Sequence, residues 1–261
     1  MPSINITTDL VKELRDATGI SVMQCKRALE EAEGDMKKAL AILKKTSSDI
    51  AQKKLNREVK DGRIAIKTNE KKAVLVSLYC ETDFVAKNED FVNLLDKLID
   101  KAFSEGLEKM KIVAKDMIDS VIQKTGENIQ LGEMYEVSGN VLGNYVHNNK
   151  IGVIVSLEGG TVELAKDVAM HITAMKPEYI SQDDITPEMF KIMQEIFEKE
   201  VANIDKPPEI KKKMLDGKIT TYFKEKILLN QMFIKNTDET IGELLGKNKA
   251  KIKEVKRYSI I

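Results

Sequence analysis

The sequence has 261 residues, 42% hydrophobic and 32% charged, enough apolar material to bury a core and enough charge to solvate the helices around it. Its 42 basic residues are balanced by 42 acidic ones, whereas a nucleic-acid binder carries a basic excess to neutralise phosphates, so a direct nucleic-acid role is not expected. Neither the two cysteines (Cys25, Cys80) nor the two histidines (His147, His171) fall in a Cys-x-x-Cys or Cys/His spacing, which argues against a disulfide scaffold, a metal site or a bound cofactor.

Asp9, Glu13 and Asp16 stand where a secretory or transit peptide would be apolar or poor in acids. No apolar run approaches the roughly 20 residues of a membrane span. A soluble, cytoplasmic protein without a membrane partner is expected.

The chain opens with three short helices. Leu10, Val11 and Leu14 repeat at helical spacing between a Thr7-Thr8 cap and a stop at Gly19. Ser21-Val22-Met23-Gln24 is a capping-box pattern, followed by an inward stripe of Cys25, Ala28, Leu29 and Ala32 that Gly34 ends. Asp35 caps a third helix with Met36, Ala39, Leu40 and Leu43 inward. A bundle this small is marginal alone and suits docking more than catalysis.

Thr46-Ser47-Ser48 punctuates the chain, and the polar run from Gln52 to Lys60 reads as a connecting helix or linker. Asp61-Gly62 turns into a hairpin: Arg63 to Thr68 alternates, Asn69-Glu70-Lys71 turns, and Ala73 to Tyr79 is apolar nearly throughout. Asn88 then caps a helix with a core stripe of Phe91, Leu94, Leu95, Leu98, Ile99 and Ala102.

A charged helical stretch (Val113 to Lys124) and a strand (Ile129 to Val137) lead to a second hairpin, Val141 to Val146 and Ile151 to Leu157 around Asn148-Asn149, and a helix from Thr161 to Met175. Val76-Ser77-Leu78 aligns with Val155-Ser156-Leu157, so the two regions read as a duplicated ββα unit. Thr186-Pro187 starts a long helix to about Asn203. Lys206-Pro207-Pro208 reverses the chain, and a second long helix runs from Glu209 to about Leu229. Asp238 to Leu245 reads as a short helix and Lys251 to Ile261 as a final strand returning to the second ββα unit, which makes the helical hairpin an insertion.

Motifs for nucleotide chemistry are missing. Gly242 to Asn248 is too short between glycines for a P-loop, with Asn248 in place of Ser or Thr. A nucleophilic pair of Cys80 with His147 lacks any activating context, and isolated thiols are usually inert. Cys25, Cys80 and His171 are read as core or helix-surface residues.

The run Glu81-Thr82-Asp83-Phe84-Val85-Ala86-Lys87-Asn88 lies between a central strand and a helix cap, where α/β proteins place functional loops. Two readings stay open from pattern alone, and the first is preferred. Either Thr82 and Asp83 cap a single turn with Phe84 packed inward, or the turn is exposed and functional.

Here the sequence resembles the elongation factor Ts family of bacterial translation. Thr82-Asp83-Phe84-Val85-Ala86-Lys87 matches the family's TDFVAK run without a substitution. Thr18-Gly19, Met23, Cys25-Lys26 and Ala28-Leu29 match its TG…MxCKxAL pattern. Tyr145, His147 and Ile151-Gly152-Val153 match its second hairpin, and the helix near Leu164, with His171 and Lys176-Pro177, resembles its HIAMHVAASKPE stretch. The matches run in the family's order along nearly the whole chain.

The resemblance implies an α+β fold: a ubiquitin-associated-like three-helix domain over 1–55, core subdomains over 56–140 and over 141–180 plus 230–261, and an antiparallel coiled-coil insertion over 181–229. It also implies a guanine-nucleotide exchange factor, without covalent chemistry, that binds elongation factor Tu in its GDP-bound and nucleotide-free states. The family's Asp and Phe intrude beside that partner's Mg²⁺ site, so Thr82, Asp83, Phe84 and Val85 are the expected exchange element. Val22, Met23 and His147 are further contact candidates. A flexible Met suits a docking surface, while ordinary core packing is the competing reading for Val22 and Met23.

Gln24 stands where the family commonly has Asp, and Ile20-Ser21 replaces small residues. Some members continue past the last strand with a further partner-binding helix, a contact not expected of a sequence ending at Ile261. Self-association through the helical hairpin is compatible with the resemblance. The alternatives are an adaptor that uses its ubiquitin-associated-like module without exchange, and a thiol enzyme built on Cys80.

Overall fold

A computed structural model describes residues 6–260, a mixed α and β fold with small antiparallel sheets. Helices α1 (Thr8–Thr18), α2 (Val22–Glu31) and α3 (Met36–Lys54) bury Val11, Leu14, Cys25, Ala28, Leu29, Ala39 and Leu43 in a cluster of their own. Their starts are local chemistry. Thr7, Ser21 and Asp35 accept backbone N–H groups of the first turns, and Gly19 closes α1 at φ 67°.

Three expectations fail here. The Ser21 capping box is half formed: Gln24 Oε1 accepts the Ser21 hydroxyl at 2.8 Å instead of the backbone N–H. Leu40 is exposed, because Ala39 and Leu43 take the inward face and Leu40 borders the cleft against the next layer. Thr46-Ser47-Ser48 does not interrupt α3. Thr46 and Ser47 return their hydroxyls to the Ile42 and Leu43 carbonyls, satisfying themselves inside the helix.

Strands β1 (Asp61–Thr68) and β2 (Lys72–Cys80) form the first hairpin, and β3 (Ile129–Ser138) adds on the other side of β2. Between them run a single turn, α4 (Asp83–Ala86), then α5 (Glu89–Glu105) and α6 (Leu107–Thr125). Helix α6 starts six residues earlier than the expected Val113, because Gly106 at φ 92° lets the chain redirect at once. The second sheet orders β4 (Val141–His147), β5 (Ile151–Glu158) and β8 (Lys251–Ser259), covered by α7 (Val162–Met175).

The two sheets face each other through Ile64, Leu75, Val137, Leu142, Ile154 and Ile260, and the Tyr79 and Tyr258 hydroxyls meet at 2.6 Å. On the outer face of the first sheet, Val74, Val76 and Leu78 pack with α5 and α6; on that of the second, Val153, Val155 and Leu157 pack with α7. A strand buried on both faces reads as continuous apolar residues, which is why Ala73 to Leu78 carries almost no alternation. The aligned triplets both sit at register shifts, between Val76 and Leu78 and between Ser156 and Leu157.

Helices α8 (Pro187–Ala202) and α9 (Pro208–Lys226) leave the second unit after α7 and return before β8. They pair through Phe197 against Tyr222 and Phe190 stacked on Phe223 at 5.6 Å. The segment expected as one helix from Asp238 is instead β7 (Asn236–Thr240), paired with β6 (Met232–Phe233), followed by α10 (Ile241–Lys247). Thr240, with Glu243 three residues on, forms a true capping box and so starts the helix there. Among the described residues no helix is long and apolar enough to cross a membrane.

Candidate functional site

The turn after β2 is built from its cap outward. Thr82 is extended (φ −131°, ψ 158°), and its Oγ1 accepts the Val85 N–H at 3.4 Å, which starts α4. Val85 and Ala86 are buried in the cluster under the first sheet, while Asp83 and Phe84 face solvent. Phe84 is 81% exposed, the most exposed of the large apolar side chains among the described residues. The reading in which Phe84 packs inward is therefore excluded. Val85, expected beside it as a contact, is 9% exposed and packs into the core beneath the turn as an anchor.

Asp83 pairs with Lys87 one helical turn on, at 2.7 Å. The Lys87 ammonium holds the Asp83 carboxyl below the ordinary range, and Asp83 raises the Lys87 pKa in return. Asp83 thus presents a carboxylate at neutral pH.

Beneath the turn lies a network that no local pattern announces. Glu127, in the α6–β3 connection, accepts the Glu81 and Thr82 N–H groups at 3.1 and 3.0 Å and the Thr82 hydroxyl at 2.6 Å. Glu81 reciprocates by accepting the Asn128 N–H at 2.6 Å. The buried Asn128 amide donates to the Leu55 and Arg57 carbonyls at 3.3 and 2.7 Å.

His147 is exposed at the tip of the β4–β5 hairpin, with the Tyr145 hydroxyl 3.3 Å from its Nδ1. Asn148 and Asn149 both take positive φ, 49° and 57°, and make the tight turn. The Asn149 carbonyl accepts the Ile64 N–H at 2.8 Å, and Lys150 Nζ donates to the Gly62 carbonyl at 2.8 Å and to the Asp61 carboxylate. The tip therefore rests on the start of β1, whose Arg63 reaches the Ala86 carbonyl at 3.5 Å. The structure brings the His147 tip and the Phe84 turn to the same end of β1. Val22 and Met23 stand apart from them, on the three-helix bundle, at 45% and 58% exposure. They open α2 as solvent-facing residues and are not core.

Cys80 is buried and donates to the Thr82 carbonyl at 3.1 Å. Burial, reinforced by Asp61 and Glu127, pushes its thiol up to about 12, so it stays protonated and is a poor nucleophile. His171 is fully buried, 2.9 Å from Gln231 Oε1, and accepts the Ile234 N–H at 3.3 Å on Nδ1. It is a satisfied core residue.

The second unit repeats the turn. Thr161 has φ −129° and ψ 160°, and its Oγ1 accepts the Leu164 N–H at 3.2 Å. Leu164 and Ala165 are buried where Val85 and Ala86 are. The position matching Phe84 holds Glu163, so the turn itself does not call for an aromatic.

Comparison with known proteins identifies the family of the chain. The family described as Elongation factor TS matches residues 81–260. This chain belongs to the elongation factor Ts family. Elongation factor Ts of Hahella chejuensis is 39% identical over 98% of this chain and 92% of its own length. That of Thioalkalivibrio sulfidiphilus is 36% identical with the same coverages, and that of Pseudomonas fluorescens is 39% identical over 95% of this chain and 88% of its own. The family places the chain among the elongation factors of protein biosynthesis. Its matched span takes in the turn, Glu127 and the His147 hairpin, and the full-length relatives extend the likeness over the three-helix bundle.

Proposed function

We propose that this chain is a guanine-nucleotide exchange factor that binds elongation factor Tu carrying GDP and speeds GDP release. Asp83 and Phe84 are the exchange element, inserting beside the partner's Mg²⁺ and phosphate site. Mg²⁺ demands near-ideal octahedral geometry, so a small displacement of its surroundings weakens the nucleotide it bridges. Burying Phe84 in the partner is worth about 1.5–3 kcal/mol, enough to drive such a displacement. Asp83 adds a carboxylate that disturbs the hydrogen bonds of the metal's water shell. No covalent bond changes, so the chain acts as a binding factor and not as an enzyme. By linkage, GDP weakens this chain's hold on the partner by the factor that the chain weakens GDP's.

The observation that carries this reading is the 81% exposure of Phe84 on a turn whose repeat places Glu163 at the same position. The rest of the assignment belongs with it. Residues 1–55 are a ubiquitin-associated-like docking module whose Val22 and Met23 touch the partner. Residues 56–140, and 141–180 with 230–261, are the two core subdomains, His147 being a contact of the second. Residues 181–229 are a coiled-coil insertion, and exposed Met189, Ile192 and Ile196 on α8 support self-association through it. A cytoplasmic location follows from the translation role.

The exposure of Val22 and Met23 also fits a second reading, an adaptor that docks without exchanging nucleotide. Release of a fluorescent GDP from elongation factor Tu separates the two. Acceleration that disappears in the Asp83→Ala, Phe84→Ala double variant supports exchange through the turn. Binding without acceleration leaves the adaptor.

A further inference from the structure

We propose that Glu127 is a positioning residue for the exchange turn, fixing the angle at which Asp83 and Phe84 meet a partner. The inference rests on the exchange function proposed above. A helix of four residues cannot stabilise itself, because nucleation orders several dihedrals for one hydrogen bond. Helix α4, Asp83–Ala86, is such a helix, so its direction must be imposed from outside.

Glu127 imposes it at the first link. Its carboxylate takes two consecutive backbone N–H groups, of Glu81 and Thr82, and the Thr82 hydroxyl proton. With that proton committed to Glu127, the Thr82 oxygen keeps its lone pairs for the Val85 N–H, so one carboxylate sets both the strand exit and the cap. Glu127 is itself held by its neighbour. Asn128 is buried, bonded to the Leu55 and Arg57 carbonyls and to the Glu81 carboxylate.

The second unit shows that the fold alone does not need this clamp. Tyr79 pairs with Gln130 as Glu158 pairs with Lys251, so the position matching Glu127 is Asn248, whose amide turns back to donate to the Leu244 carbonyl at 2.8 Å. There the closure is backbone packing: Gly159, at φ 77°, approaches the Lys249 carbonyl so closely that a Cβ would lie 2.4 Å from its oxygen. Thr161 caps a helix of 14 residues that packs along its sheet and holds its own direction. The carboxylate clamp occurs where the helix is short and carries the exposed Phe84.

Two measurements test the assignment. Amide hydrogen exchange on the free protein reads the turn without reference to any partner. Glu127→Gln, of the same shape, should speed exchange at Val85, Ala86 and Lys87 by about tenfold, the loss of one hydrogen bond to a charged group, and leave Leu164 and Ala165 unchanged. Unchanged protection at Val85 to Lys87 would overturn the proposal, whatever the fate of the exchange function. The second measurement is fluorescent-GDP release from elongation factor Tu by wild type, Glu127→Gln, Phe84→Ala and the double variant. Glu127→Gln should slow release about tenfold and add less than about twofold in the Phe84→Ala background. Full multiplication of the two losses would mean that Glu127 acts on the fold generally, and the positioning role would fall. Should Glu127→Gln melt earlier than wild type, Glu127→Asp, which keeps the charge but draws it back from Thr82, carries the same expectations.

Discussion

The turn that follows β2 and the turn that follows β5 have the same beginning and different ends. Each starts on an extended threonine whose hydroxyl accepts the N–H three residues on, and each then buries two small apolar side chains, Val85 with Ala86 and Leu164 with Ala165. Beyond that, one helix stops after four residues and shows Phe84, and the other continues to Met175 with Glu163 in that place. The fold therefore accounts for the cap and for the buried pair. It does not account for the aromatic, and that residue from the difference is what function has to explain.

The comparison can be tested at each shared and each divergent position. Truncating the buried side should damage folding: Leu164→Ala should cost about 2–5 kcal/mol in urea unfolding, as cavity-forming changes do. Val85→Ala, removing less volume, should cost less. Next in size, Phe84→Ala should remove about 2–4 kcal/mol of transition-state stabilisation from GDP release with no change in unfolding midpoint. Glu163→Phe in the second turn should alter neither quantity. A stability loss in Phe84→Ala matching its loss of exchange would make Phe84 structural after all.

The two cores should also differ in acid. Burial lowers the pKa of His171 from its ordinary 6.5, so the unfolded chain binds a proton that the folded one refuses. Stability contributed there is present above pH 6.5 and declines as pH falls toward the folded pKa, by at most about 1.4 kcal/mol per pH unit. His171→Gln should flatten the fall in urea midpoint between neutral and mildly acidic pH, and a slope unchanged in that variant would assign the loss to other groups. Smallest of all, Lys87→Met should leave the unfolding midpoint where it is, since an exposed pair one helical turn apart is screened by water.

Much of this architecture is written locally. The caps at Thr7, Asp35, Asn88, Thr161 and Thr186 and the stripe from Phe91 to Ala102 are settled by neighbours within four residues, and the sequence displays them. What it does not display depends on distant partners. Ser47 reads as a helix breaker until its hydroxyl is seen to return to the Leu43 carbonyl one turn back and to meet the side chain of Gln123. Asp238 reads as helix until Met232 pairs with Thr240 and Phe233 with Asn236. The clamp joins Thr82 to a carboxylate 45 positions away, and no periodicity records such a bond. The exposure of Phe84 was equally illegible, since the same four letters serve a packed turn; family likeness, and not pattern, singled them out.

The uninterrupted α3 has a consequence of its own. Its 19 residues span about 28 Å at 1.5 Å per residue, and its middle is fastened to α6 by Lys44 with Asp116, Lys115 with Ser48, and Ser47 with Gln123. A stiff spacer of this kind works as a caliper. The gap between Met23 at one jaw and Phe84 at the other is set before any partner arrives. Under the function proposed above, the second contact would then form without the chain entropy a flexible tether would lose. Only a partner with two sites at the matching separation gains from both, so the length of one helix becomes a criterion of choice between partners.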